Sequence, residues 1–399
     1  MIEIKEKIAN IISENKNRLI DDRRHIHKNP ELSFKEYKTS EYIKKRLDEM
    51  SVNYVSGLVG TDVIAIIEGT LNSKKSRTLL MRADIDALPV CETRECEYKS
   101  VNNGVMHACG HDAHTAILLC VCDVLNKTRE HFSGTVKLVF QPGEETSGGA
   151  KPLIDAGVLS APDVDACIAL HMDSDIDCGK IRIKKGSLYA SPDDFFIKVI
   201  GKGGHGAEPQ NCIDPIAVSA KIIEALLTLP AREINPFEQA VVTIGTIQAG
   251  NATNIIPEYS EISGTARSLT NEVRAFLKRR IGEVANGICN AYGAKCEYNF
   301  VELFPPLIND GNITDLFSET AKRVIGEDNC IFGGMPTMAG EDFAYFANEC
   351  PSILFKLGCR NIDKDMCYPL HNPMFDIDEN ALTVGAELFS NFAVDFLSR

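Results

Sequence analysis

The chain opens with Ile2, Ile4, Ile8, Ile11 and Ile12 set among Glu, Lys and Asn, and this helical recurrence of apolar positions predicts an amphipathic helix. Pro30 interrupts the pattern in RRHIHKNPELSFKEYKTSEYIKKRL, after which a second amphipathic helix is predicted. Short β-rich runs then alternate with helical ones. VIAIIEG, TLLMRADID, TVKLVFQP and ACIALHM read as strands, while HTAILLCVCDVL and GAKPLIDAGVL read as helices. Strands separated by helices predict an α/β fold with a mostly parallel sheet flanked by helices, and such a sheet gathers its functional side chains at the carboxyl ends of strands.

Around Gly186 to Ser191 the texture changes. FFIKVIGKGG, DPIAVSAKIIEALLTL, AVVTIGTIQAG, EYSEISGTARS, NEVRAFLKRRIGEVANGICNAYG and AKCEYNFVEL give a β-α-β-β-α-β order, which predicts one α+β domain over 189–302. It is expected to be inserted into a domain made of 1–188 and 303–399. After Leu303 the alternation returns, with ILFKLG as a buried strand and ENALTVGAELFSNFAVDFL as a closing helix.

Composition narrows the function. A chain of 399 residues with 44% hydrophobic content has material for two or three domains with substantial cores. The formal net charge of -14 disfavours nucleic acid and anionic membrane surfaces as partners, and points to a small molecule. No apolar run approaches the ~20 residues of a membrane-spanning helix, and the first residues lack a signal-peptide pattern. The 14 cysteines follow no small-domain disulfide spacing, so a reducing cytoplasm is the expected location.

Chemistry-bearing residues recur where strands end. MHACGHDAH places Cys109, His111, Asp112 and His114 just before an apolar helix. Cys109 and His111 can face one metal if the segment is extended, with Asp112 and His114 bonding behind them; a plain helix entry with a capping Asp is the alternative. TVKLVFQPGEE delivers two adjacent carboxylates, Glu144 and Glu145. They repel each other, so a nearby cation would stabilise both, one as ligand and one as general base; an acidic first turn of a helix beginning near Ser147 is the alternative. His171 ends a buried strand, and His371 lies in a loop. Asp84 and Asp86 share one face of a strand end, placed to hold an imidazole by its second nitrogen or simply to be solvated.

Taken in order, RRHIHKNPEL, MRADIDALP, MHACGHDAH, FQPGEE, ALHM, GKGGHGAEP, GNATNIIP, GTAR, GEDFAYF and LHNPMF resemble the signature set of the M20 metallopeptidase family, in its amidohydrolase branch. The resemblance runs from about Arg23 to Leu382. It implies a zinc-peptidase-like catalytic domain with an inserted, ferredoxin-like lid, and cleavage of the amide bond of N-acyl amino acids. A dipeptidase or carboxypeptidase of the same fold, or a non-catalytic metal-binding sensor, is the alternative.

The resemblance also implies roles. Cys109, His111, Glu145, His171 and His371 correspond to ligands of two divalent ions, which could be Zn, Mn, Ni or Co, with Cys109 bridging. Glu145 and His371 would serve one ion, and His111 and His171 the other. Glu144 corresponds to the general base. His205, Asn254 and Arg267 correspond to lid residues that bind substrate, often across a homodimer interface; an imidazole and an amide can donate to an oxyanion, and a guanidinium can grip a carboxylate. Two departures, Gln210 where a His is frequent and Asp62 in place of the second Gly of a Gly-Thr-Gly, touch no ligand position.

Overall fold

The protein is described by a computed structural model over residues 2–72, 76–146 and 148–398. The chain divides into two compact units, one of 1–186, 309–334 and 345–399, the other of 187–308 and 335–344.

In the first unit, helix α1 (Ile2–Lys28) runs unbroken through Arg23 and His27 and stops before Pro30, whose ring disfavours helical geometry in the residue preceding it. Helix α2 (Tyr37–Glu49) follows. The strands β1 (Tyr54–Ser56), β2 (Val63–Glu68), β3 (Thr78–Asp84), β4 (Thr135–Gln141), β5 (Ala166–Asp177) and β6 (Ile181–Ile183) join Cys330–Phe332 and Ser352–Arg360 in one eight-stranded sheet. The order is β1-β2-β4-β3-β5, then Ser352–Arg360, β6 and Cys330–Phe332. The four central strands are parallel. Antiparallel pairs flank them, so the sheet is mixed where the alternation predicted a mostly parallel one. Helix α3 (His111–Lys127), apolar on nearly every side, packs against β3, α1 and the closing helix Asn380–Leu397. Helix α4 (Ala150–Asp155) is shorter than its pattern suggested. Ser147, where that helix was expected to begin, lies outside the described residues.

The central strands end at different heights. β3 and β5 pair only from Leu79–Ala166 to Arg82–Ala169, and β5 continues past that ladder beside Ser352–Arg360. His171 therefore sits within a strand yet beyond the last residue that β3 covers. The sheet's carboxyl edge is a step, and the candidate chemistry gathers on it.

The second unit is a separate antiparallel sheet of four strands, ordered Ala240–Ala249, Tyr259–Ser268, Ser191–Ile200, Lys295–Val301. Helices Pro215–Glu233 and Asn271–Ala291 bury Val218, Ile222, Leu226, Leu277 and Ile281 against Phe195, Ile197, Val199 and Ile262. Asp214 and Thr270 cap these helices by accepting from first-turn N–H groups. The segment 335–344, read from sequence as part of the first domain, clusters here because Ala190 N donates to the carbonyls of Thr337 and Ala339 at 3.1 and 3.0 Å.

Candidate metal centre

The turn Cys109-Gly110-His111 is not extended. Gly110 adopts φ +86°, and a Cβ on it would come within 2.9 Å of Met172 Cγ. Only glycine fits this left-handed corner, which lets Cys109 and His111 face the same space while the chain turns into α3. Glu144 and Glu145 follow a second corner, where β4 stops, Gly143 takes φ +71°, and a Cβ would meet the Phe34 ring at 2.5 Å. They therefore stand ahead of Gly149, the residue that precedes α4, and not in a helical first turn.

Two groups of donor atoms result. Cys109, His111 and His171 form one, Cys109, Glu145 and His371 the other, with the atoms of each within 4.8 Å of one another. Cys109 Sγ lies 3.5 Å from His171 Nε2 and 3.3 Å from His371 Nε2. Glu145 Oε1 lies 3.5 Å from His371 Nε2 and 3.8 Å from His111 Nε2. A carboxylate oxygen of Glu144 falls within the same 4.8 Å of His111 and Glu145. His371 is held at φ +66°, a left-handed conformation that costs a residue with a Cβ, and its N–H donates to Ala108 O at 2.7 Å.

The ring orientations are fixed from behind. His111 Nδ1 donates to the Asp86 carbonyl at 2.9 Å and to Asp86 Oδ1 at 3.2 Å, leaving Nε2 to face inward. Asp86 Oδ2 also accepts from Ser33 Oγ and from the Glu145 N–H at 3.0 Å, so one carboxylate sets two donor residues. His171 Nδ1 donates to Met172 O at 2.7 Å, which turns Nε2 to the thiol. His114 is spent on structure: Met172 N–H donates to its Nε2 at 2.9 Å, and its Nδ1 donates to Asp84 at 2.6 Å. Asp84 in turn accepts from Arg82.

Asp112 departs from the expectation that it backs the ligands. It accepts from Arg23 Nε at 2.7 Å and from His27 Nδ1 at 2.8 Å. His27 Nε2 faces Glu92, so both ring nitrogens donate. Burial opposes that charge, but Asp112 outweighs it and raises the His27 pKa to about 9.

Five donor atoms, from Cys109, His111, Glu145, His171 and His371, converge. Burial, then the charge of Glu145, pushes the Cys109 thiol well above its ordinary pKa. Burial, reinforced by Lys356, holds His171 well below its own. For His111 burial is outweighed by Asp84 and Asp86, and the pKa rises. His111 Nε2 and Glu145 Oε1 are buried with no hydrogen-bond partner, a costly state for two polar atoms 3.8 Å apart. A thiol, three imidazoles and a carboxylate suit a borderline divalent cation, which would favour the thiolate and satisfy both orphaned atoms. The residues present fit a metal.

In the second unit, His205 lies on the short strand Gly204–His205, paired with Ile255–Ile256. Gly206 N donates to Asn254 O at 2.8 Å, which brings His205 and Asn254 into one exposed loop pair. Arg267 is half-buried, and its Nη1 donates to Met338 O at 2.8 Å. Sequence reasoning passed over Arg82, Arg23 and His27 individually; a buried Arg leaves no local mark when its partners are remote in the chain.

A donor set of this composition, with a glutamate beside it on the same turn, is that of a metal-dependent hydrolase. Residues 80–395 match the family model described as Peptidase family M20/M25/M40, and the chain belongs to that family. It is 39% identical to thermostable carboxypeptidase 2 of Saccharolobus solfataricus, with 100% of both chains covered. It is 38% identical to the N-acetylcysteine deacetylase of Bacillus subtilis, covering 94% of this chain and 96% of that one. Among solved structures, a dinuclear metal-binding peptidase of the M20 family from Bacillus subtilis is 35% identical, with a TM-score of 0.85 over 97% of this chain and 99% of that one.

Proposed function

We propose that the protein is a metal-dependent amidohydrolase that cleaves N-acyl amino acids to a carboxylate and a free amino acid. The observation that carries this reading is the pair of donor groups sharing Cys109, with Glu144 alongside. Two ions would be held here by Cys109 in common, with Glu145 and His371 for one and His111 and His171 for the other. The chemistry such ions would supply is polarisation of the scissile carbonyl and a lowered pKa for water. Their identity among Zn, Mn, Ni and Co is left open by this donor set.

Glu144 accepts the proton of the attacking water. As the water oxygen bonds to the carbonyl carbon and the C–N bond breaks, the same carboxyl returns that proton to the departing amine. Glu145, His111 and His171 keep their donor atoms fixed through this cycle, because Asp86 holds the Glu145 N–H and His111 Nδ1 and the Met172 carbonyl holds His171 Nδ1. The second unit is a ferredoxin-like lid; its β-α-β-β-α-β order and four-stranded antiparallel sheet support this. His205 and Asn254 donate to the oxyanion and Arg267 grips the substrate carboxylate, in a homodimer formed through the lid. The protein acts in the cytoplasm.

The carboxypeptidase relative keeps a second reading in view, with a peptide in place of the N-acyl amino acid. Hydrolysis of N-acetyl and N-benzoyl amino acids should exceed that of the matching dipeptides, measured with added metal and with bound metal quantified. Preference for dipeptides would replace the first reading with the second, and metal binding without hydrolysis of either would leave a sensor.

A further inference from the structure

Arg23 is wholly buried, yet it belongs to no donor group. Its Nε donates to Asp112 Oδ2 at 2.7 Å and its Nη2 to Asp376 Oδ1 at 2.7 Å. Asp112 follows His111 on the first turn of α3, a turn whose N-cap residue, Gly110, offers no side chain. Asp376 closes the loop that begins at His371. Its other oxygen accepts from Tyr98 Oη at 2.8 Å, and the Tyr98 ring lies under the Arg23 guanidinium, 4.8 Å from centroid to Cζ. Charges balance in this cluster: Arg23, Arg24, His27 and Arg94 face Asp112, Glu92, Asp376 and Glu379. A buried ion cluster of this kind is a poor source of net stability, since desolvation offsets most of the attraction, but a planar guanidinium bonded to two carboxylates fixes the distance between them.

We propose that Arg23 is a positioning residue for the dinuclear centre, clamping the turn that carries His111 to the loop that carries His371 through Asp112 and Asp376. The inference rests on the two-ion reading above. The loop is also held by the His371 N–H to Ala108, by the Thr93 N–H to the Pro373 carbonyl at 2.9 Å and by the buried Phe375 and Ile377, but among the bonds of its described residues only that of Asp376 to Arg23 leads to Asp112 on the turn of His111. With the guanidinium removed, His371 keeps its residue type and loses its fixed distance from His111.

The test compares Arg23→Met, Asp376→Asn, the charge-relieved triple variant Arg23→Met/Asp112→Asn/Asp376→Asn, and Arg46→Met. Arg46 is an equally structural control, a buried guanidinium joining α2 to α1 through Asp22 at 2.9 Å, away from the donor groups. Zinc binding is measured on each metal-stripped protein by chelator competition, beside Tm. Wild type should bind two ions. Both Arg23 variants should bind at least one ion about tenfold to a hundredfold more weakly, as expected when a group that orients a ligand is removed. Arg46→Met should lose Tm and keep both affinities. Asp376→Asn, which alters only a charge, should weaken one ion in the same direction. Wild-type affinity for both ions in the triple variant and in Asp376→Asn would overturn the clamp while leaving the two-ion reading intact. A wild-type protein that binds fewer than two ions would overturn that reading and the clamp with it.

Discussion

Adjacent residues on one helical turn enter two buried clusters of opposite character. Asp112 enters a cluster in which each carboxylate faces a guanidinium or an imidazolium, at distances from 2.7 to 3.3 Å. His111 enters one in which a thiol, imidazoles and carboxylates face each other, leaving buried atoms unbonded. The first cluster neutralises its own charge, although Asp112 Oδ1 is itself buried without a hydrogen-bond partner. The second leaves His111 Nε2 and Glu145 Oε1 facing each other unbonded, a cost that a cation from solution would relieve. Apart from His371, whose side chain is 54% exposed, both clusters are largely buried and rich in titratable groups, so the sign balance is what separates scaffold from site.

Substitutions should break the two clusters in different ways. The largest effect belongs to Cys109→Ala, which removes the one atom common to both donor groups. Metal content should fall below two per chain, and kcat should drop by at least the ~100 to 10,000-fold typical of losing a catalytic group. Retention of two ions and of turnover would show that Cys109 is not shared. Asp86→Ala should be milder, because His111 Nδ1 keeps the Asp86 carbonyl at 2.9 Å. A loss of about tenfold in metal affinity, near the low end for groups that orient a ligand, is expected by chelator competition, and an unchanged value would remove Asp86 from that role.

The smallest effect lies in the self-neutralised cluster and is one of stability. The His27 pKa is raised to about 9, above its ordinary unfolded value, so its contribution is complete below pH ~6.5 and is lost as pH rises through about 9. Melting curves of wild type and His27→Gln should differ by a few degrees at pH 6 and converge by pH 10. A gap that stays constant across this range would mean that His27 is not charged in the fold.

Much of the site was legible because it is local. Cys109-Gly110-His111 and the Glu144, Glu145 pair announce themselves by residue type at a strand or helix boundary, and Asp84 and Asp86 by their spacing of two. The orientation of Asp112 was not legible. Successive helical residues point ~100° apart, so the residue after an inward His faces elsewhere, and its partners His27 and Arg23 lie 85 and 89 positions away in the chain. Sheet direction was legible only at the centre, where helices separate the strands; β2 and β6 pair antiparallel through connections that carry no such signal. The 335–344 segment joined the second unit through backbone hydrogen bonds, which no side-chain pattern encodes.

The central claim is that Glu145 holds metal and Glu144 moves protons, although the two are neighbours on one turn. Metal stoichiometry and kcat, measured together on Glu144→Ala and Glu145→Ala with an N-acetyl amino acid as substrate, test it directly. Glu144→Ala should keep two ions and lose kcat toward or beyond the upper end of ~100 to 10,000-fold, since one carboxyl serves both proton transfers. Glu145→Ala should lose metal and activity together. Metal lost from Glu144→Ala and kept by Glu145→Ala would exchange the roles, and full activity in both would contradict the account.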